Sequence, residues 1–356
     1  MPYDGRTSPL VSVIIVSNNS AATIRRAIES IQSQSIKDHE TIVVDDGSRD
    51  GTMRLVESMA ERDLTISLYR TDGAGVAAAM DLGISHARGK YLMFFDADGW
   101  SDASMLADLV EPAEKSKLEL VMSGFSIVSD SGDKRRVSEK TVNQPQRLYA
   151  TQQDFRAEAW QLFEANQLSV PCAKLFLRDR VEQLSLRFSS EEGDKLPFVL
   201  GYLYDVSRVG VTGQVHYHVA DSSAFAKFGF FTSDYQSLER SYGRLVDLYH
   251  HWGLDGDAAS MGMIQSRYFE CLVDCIMNVC SNRSGLSPSE RRRVVREIVA
   301  SDRAQLAANV ARPRGVGAKA MQAPIKSGNA DLAYTEGYLA ALVRRGPSAP
   351  PFCAML

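Results

Sequence analysis

The sequence predicts an α/β protein with a mostly parallel sheet flanked by helices, followed by a C-terminal helical region. Three observations carry this. Short apolar, β-branched runs alternate with amphipathic stretches between Val11 and Phe95. Acidic residues stand just past the ends of two of these runs. Beyond Asp234 the apolar spacing becomes that of helices.

Residues 11–16, all apolar but Ser12, suit a strand covered on both faces. Ser20 is placed to cap a helix with Ile24, Ala27, Ile28 and Ile31 on one face. A second buried strand, 41–44, ends at Asp45-Asp46-Gly47-Ser48, and the next helix turns Met53, Val56 and Met59 inward. A third strand, 65–69, leads through a glycine-bearing turn into a helix over 76–87, and a fourth, 91–95, ends at Asp96. Repeated βα units imply parallel pairing through right-handed crossovers. A strand at 118–123, a polar stretch at 129–147 and a helix near 152–165 follow. The chain then reads as irregular to about residue 230, apart from a strand-like segment at 209–213.

The expected organisation is one domain over residues 1–232 and a helical domain over 233–356. In the latter, Leu238, Tyr242, Leu245 and Tyr249 share a face, and Cys271, Cys275 and Cys280 read as small buried hydrophobes. Ser287-Pro288-Ser289-Glu290 reads as a capping box ahead of Val294, Val295, Ile298 and Val299. Residues 312–329 read as a basic loop and 331–345 as a last helix. These helices are expected to cover a binding face or mediate self-association into a homo-oligomer.

A net charge of −4 argues against nucleic acid as the main partner. No apolar run approaches the roughly 20 residues of a membrane span. The N-terminus has no basic stretch leading into an apolar one, so the expected compartment is the cytoplasm. Arg291, Arg292, Arg293 and Arg296, with the basic residues of 312–326, could contact anionic lipid peripherally at the inner face of the membrane, or simply form a solvated face.

In open parallel sheets, ligands bind at the carboxyl ends of the strands. Asp45 and Asp46 follow one strand there, and Asp96-Ala97-Asp98 another. Two carboxylates so spaced can share one hard cation, Mn²⁺ or Mg²⁺, which takes oxygen ligands and bridges to a diphosphate. His218 or His216 could add an imidazole, and Trp100 could line the ligand pocket or pack internally. A competing signal is Gly73-Ala74-Gly75-Val76-Ala77-Ala78, which fits the dinucleotide fingerprint of an NAD(P) oxidoreductase. It follows the third strand rather than the first and leaves Asp46 and Asp98 without a role.

Over residues 9–230 the chain resembles the family 2 glycosyltransferases. Ile42-Val43-Val44-Asp45-Asp46-Gly47-Ser48 with Asp50-Gly51-Thr52 is similar to that family's V-D-D-G-S-x-D-G-T signature. Gly83-Ile84-Ser85-His86-Ala87-Arg88-Gly89-Lys90-Tyr91 resembles its G-I-x-x-A-x-G-x-Y element, and Asp96-Ala97-Asp98 its D-x-D. Lys174-Leu175-Phe176 and Arg187-Phe188 resemble elements of polysaccharide-building members. The resemblance implies a GT-A fold and a metal-dependent, inverting transfer from a nucleotide-sugar, UDP-linked by expectation, to a glycan or lipid-linked acceptor. It implies that Val16, Asn18, Asp45, Asp46, Gly75, Asp81, Asp96 and Ala97 contact the nucleotide-sugar. Asp98 would be the main metal ligand, with Asp96 and His218 beside it.

The chain departs from the family where the catalytic base is expected. Gly193-Asp194-Lys195-Leu196-Pro197-Phe198 carries an aspartate where glutamate is usual and a lysine, protonated at neutral pH, where the base is usual. Asp194 is the first candidate base and Glu192 the second, ahead of Glu191. This departure also admits a catalytically impaired homologue that binds the donor or scaffolds a partner. Gly99 stands where a third acid is common, and Ala79-Met80-Asp81-Leu82-Gly83 lacks an arginine the family often has.

Overall fold

The computed structural model describes residues 8–130, 137–188, 195–220, 233–282 and 284–343. The chain divides into two compact units, Met1–Ser223 and Ala224–Leu356.

The first half of the N-terminal unit is β1 (Val11–Ser17), α1 (Ile24–Gln32), β2 (His39–Asp46), α2 (Thr52–Ala60), β3 (Ile66–Thr71), α3 (Val76–His86) and β4 (Tyr91–Asp96). β1 pairs in parallel with β2 on one side and β4 on the other, and all seven of its residues are buried. Double coverage is why this strand is a continuous apolar run. α1 buries Ile24, Ala27, Ile28 and Ile31. It starts later than a Ser20 cap would have it: the Ser20 hydroxyl donates to the Asn18 carbonyl at 3.3 Å, and Thr23 stands at the cap with its hydroxyl donating to the Ser20 carbonyl rather than capping a helix amide. α2 buries Val56 and Met59 with Thr52, leaving Met53 half-buried.

The second half is β5 (Gly99–Ser101), α4 (Met105–Ser116), β6 (Leu120–Asp130), β7 (Val137–Val142), β8 (Arg147–Tyr149), α5 (Gln152–Glu164), β9 (Lys174–Leu177), α6 (Arg178–Gln183), α7 (Leu196–Leu203) and β10 (Val209–Ala220). The sheet runs β3-β2-β1-β4-β9-β6-β10-β5, with β7 on β6 and β8 on β10. β9 is antiparallel to both β4 and β6, while β6 and β10 are parallel. Four ordered elements, β9, α6, α7 and β10, therefore occupy the stretch that reads as irregular, the last extending the strand-like segment at 209–213. β9 has only four residues, α7 is apolar on nearly every side, and β10 is interrupted near Gly213, whose φ is +74°. None presents the periodicity by which an element is recognised in sequence.

The C-terminal unit is helical: α8 (Ser233–His251), α9 (Ala258–Cys280), α10 (Pro288–Val299), α11 (Asp302–Val310), α12 (Val316–Lys326) and α13 (Ala330–Val343). Cys271, Cys275 and Cys280 are buried beside Leu272 and Ile276, and the Ser287–Glu290 capping box is formed in both directions. The expected basic loop at 312–329 is instead largely α12, because Ala318, Met321, Pro324 and Ile325 form a stripe that the core buries. The arginine cluster is not one exposed face. Arg291 is buried, donating to the carbonyls of Leu286 and Cys280 and to Asn282, whereas Arg292 lies over the Tyr334 ring. Among the described residues no helix is long and apolar enough to cross a membrane.

Candidate active site

Strand register brings the sequence-predicted acids to one edge. Val16 pairs with Val44 and Asp96, Ser17 with Asp45, and Asp46 with Thr71. The carboxyl ends of β1, β2, β3 and β4 thus form a row, and Asn18 closes it by donating from its side-chain amide to the Asp46 carbonyl.

The two aspartates ending β2 have different surroundings. Asp45 is fully buried and accepts from the Ser48 amide at 2.9 Å and the Ser17 hydroxyl at 3.2 Å. It pegs the turn after β2. Asp46 accepts from the Thr71 hydroxyl at 2.6 Å and the Gly75 amide at 3.1 Å, tying β3 and the start of α3 to β2. Gly75, at φ +93°, can turn its amide this way because it has no Cβ. That bond also answers the dinucleotide signal. An acidic side chain occupies the amide that such a fingerprint offers to a phosphate, and β3 is at the end of the sheet rather than at its switch point.

Asp81 accepts from the Phe188 amide at 2.9 Å. Burial raises its carboxyl above the ordinary range against the pull of Phe188 and Arg187. It thereby anchors the Arg187-Phe188 element, whose Phe188 ring stacks on Phe198 at 4.3 Å.

Asp96 ends β4. One carboxylate oxygen accepts from the Lys195 ammonium at 2.9 Å and the other from the Tyr217 hydroxyl at 2.7 Å. Burial alone would raise the Asp96 carboxyl, but the Lys195 charge and the Tyr217 bond outweigh it and hold the group below its ordinary value. Burial likewise works against the Lys195 charge, and Asp96 overcomes it, so the ammonium titrates above its ordinary range. Gly99 makes room for this arrangement: a Cβ there would lie 2.4 Å from the Tyr217 hydroxyl. Ala97 is buried and Asp98 half-buried. Arg26 donates to the Asp98 carbonyl at 2.8 Å, and its guanidinium lies 3.8 Å over the Trp100 ring.

His218 does not join this group. Neighbouring residues of a strand point to opposite faces, so with Tyr217 reaching Asp96, His218 projects to the other side. There its ring stacks on Trp100 at 5.4 Å, with Nδ1 2.7 Å from the Ser126 hydroxyl and Nε2 3.3 Å from Asp102. Trp100 is held between Arg26 and His218. Among the described residues, no three His, Cys, Asp or Glu side chains converge as a ready metal site. What stands at the edge is the hard-oxygen pair of Asp96 and Asp98. That pair fits Mg²⁺ or Mn²⁺ bound through one or two carboxylates, with phosphate and water completing the shell.

Glu191, Glu192 and Asp194, the candidate bases, lie outside the described residues. Sequence reasoning missed the roles of Tyr217 and of Lys174, which is fully buried with its ammonium 3.3 Å from the Cys172 carbonyl. Burial lowers Lys174 to about 8 and raises the nearby Cys172 thiol to about 12. A long β10 read in alternation would have pointed to Tyr217; no local pattern announces a buried lysine.

The mostly parallel sheet with helices on its faces and acids at the carboxyl edge is a GT-A fold. S. aureus TarS 1–349 has the same fold at a TM-score of 0.59 and 14% identity, covering 94% of this chain and 92% of that one, and it has also been solved with UDP and with UDP-GlcNAc. Residues 12–183, just under half of the chain, match the family described as Glycosyl transferase family 2. The chain is 26% identical over 306 residues to the uncharacterized glycosyltransferase EpsJ of Bacillus subtilis, covering 83% of this chain and 84% of that protein. It is 36% identical over 117 residues to the cholesterol galactosyltransferase of Borreliella burgdorferi, covering 33% of each.

Proposed function

We propose that this glycosyltransferase moves a sugar, with inversion, from a UDP-sugar to a glycan or lipid-linked acceptor in cell-surface polysaccharide synthesis. The observation that carries the reading is the row formed by Asn18, Asp46, Asp96 and Asp98 along the carboxyl edge of β1, β2 and β4. UDP as the nucleotide draws support from the UDP and UDP-GlcNAc complexes of TarS. The acceptor class draws support from the galactosyltransferase that acts on a sterol and from the polysaccharide-type elements around Lys174 and Arg187.

In this reading the nucleotide lies along Val16, Asn18 and Asp46, with Asp96 toward the ribose. Asp98 would hold Mn²⁺ or Mg²⁺, which supplies positive charge to the departing diphosphate. Lys195 and Tyr217 fix the Asp96 carboxylate so that no reorganisation is needed when charge develops. Asp194, or Glu192 in second place, accepts the proton of the acceptor hydroxyl as that oxygen attacks the anomeric carbon opposite the leaving group. One displacement inverts the centre. Residues 233–356 act on the acceptor side or in self-association, and contact with the inner membrane face would bring lipid-linked acceptors to the enzyme.

The test is a donor screen. UDP-glucose, UDP-galactose, UDP-GlcNAc and GDP-mannose are incubated with Mn²⁺ and a panel of glycan and lipid-linked acceptors, and nucleotide release is followed. Steady UDP release that disappears in Asp98→Ala is expected. Binding of UDP without turnover on any acceptor would favour an inactive donor-binding homologue instead.

A further inference from the structure

The position at which this family usually carries an acid is held here by Lys195, and the structure gives that lysine a definite partner. Its ammonium is 2.9 Å from one Asp96 oxygen, while the Tyr217 hydroxyl bonds the other at 2.7 Å. Both oxygens of the first aspartate in the D-x-D element thus have a protein donor. The pair is mostly shielded, with side-chain exposures of 32% and 23% for Lys195 and Asp96, so water screens it weakly.

Lys195 is also held in place from behind. It directly precedes Leu196 and Phe198 of α7, which are buried, and Phe198 packs against Phe94, Phe176 and Phe188. Phe94 lies on β4 two residues before Asp96, so one aromatic cluster sets both ends of the ion pair. The cluster anchors the backbone from which the Lys195 side chain reaches Asp96.

We propose that Lys195 is a built-in counter-cation of the Asp96-Ala97-Asp98 element, which holds Asp96 and weakens the element's affinity for a free divalent cation. The proposal rests on the reading of this edge as a donor site with a cation at Asp98. With Asp96 neutralised by Lys195, the edge offers a cation one negative charge fewer than it would without the lysine. A divalent ion near Asp98 also meets repulsion from the ammonium. The cation is therefore taken up chiefly together with the donor's diphosphate, whose oxygens bring the missing negative charge.

The experiment titrates the full-length protein with Mn²⁺ alone, following free Mn²⁺ by electron paramagnetic resonance. Wild type is compared with Lys195→Met, which keeps the bulk of the stem, and with Lys195→Arg, which keeps the charge. Lys195→Met is expected to bind Mn²⁺ about tenfold more tightly than wild type, because the repulsion is removed and the Asp96 charge is exposed. Lys195→Arg should stay near wild type, and adding Asp98→Ala to Lys195→Met should abolish the gain. A role confined to packing would instead leave affinity unchanged or lower it. Should Lys195→Met fold poorly, Lys195→Gln carries the same expectation. Unchanged or weaker Mn²⁺ binding in the neutral variant, while wild type still binds Mn²⁺ in the presence of UDP, overturns this proposal alone. Absence of Mn²⁺ binding in every protein, with and without UDP, overturns the cation site and the proposal together.

Discussion

The two edges of the parallel strands each carry a buried or half-buried acid beside a base, yet they are built differently. At the amino edge, Glu40 accepts from the Ser12 hydroxyl at 2.7 Å, from the Arg88 amide at 2.8 Å and from the Arg88 guanidinium at 2.6 and 3.0 Å. The Ser12 hydroxyl in turn accepts from the Gly89 amide, and a Cβ on Gly89 would lie 2.5 Å from the Ser12 nitrogen. This is a closed lock joining β1, β2 and the entry to β4. At the carboxyl edge Asp96 has one donor on each oxygen, and Asp98 follows two residues on. Glu40 accepts four hydrogen bonds from protein donors, whereas the Asp96 carboxylate accepts one on each oxygen. Saturation of the lone pairs, more than burial or residue type, separates a structural acid from a functional one.

The largest expected effect tests the carboxyl edge. Asp98→Ala should lower kcat about a thousandfold, with the thermal midpoint nearly unchanged; a large loss of Tm with retained kcat would reverse the assignment of the two edges. Glu40→Ala should do the opposite. It removes four hydrogen bonds, two from the Arg88 guanidinium and one each from the Arg88 amide and the Ser12 hydroxyl, so urea unfolding should report a loss of about 3 kcal/mol, while kcat per folded molecule stays near wild type. Tyr217→Phe is a smaller, mixed case. Losing one hydrogen bond to a charged oxygen should cost about 1.5 kcal/mol of stability and weaken UDP binding measurably by calorimetry, since Asp96 loses its orienting donor.

The smallest effect is a pH dependence, read as the stability difference between wild type and Asp96→Asn. Asp96 titrates below its ordinary value of 3.8, so its contribution is complete above 3.8 and fades as pH falls through the depressed value. Lys195 titrates above its ordinary value of 10.5, so its contribution is complete below 10.5 and fades as pH rises through the raised value. The difference should therefore be flat between these limits. A slope near neutral pH would mean that the pair is not charged as described.

Much of the N-terminal half was legible because its signals are local. The stripe of Ile24, Ala27, Ile28 and Ile31, the doubly covered β1 and the acids at the strand ends all follow from spacing within one element. The Ser287 capping box was legible for the same reason. Less could be read after residue 165, where β9 is too short, α7 too evenly apolar and β10 too broken to show a period. α12 was hidden by its charges, since its buried stripe is made of alanine, methionine, proline and isoleucine among basic residues.

By itself, the sequence determined that acids would gather at the carboxyl edge of a parallel sheet, because strand ends and βα order are written in consecutive residues. Only the tertiary structure decided which of those acids is spent on the protein. Asp45 was claimed by its own turn, and Asp96 by a lysine and a tyrosine 99 and 121 residues further along. His218 was sent to the opposite face by the alternation of β10. Such partnerships depend on which strands become neighbours, and no local spacing carries that information.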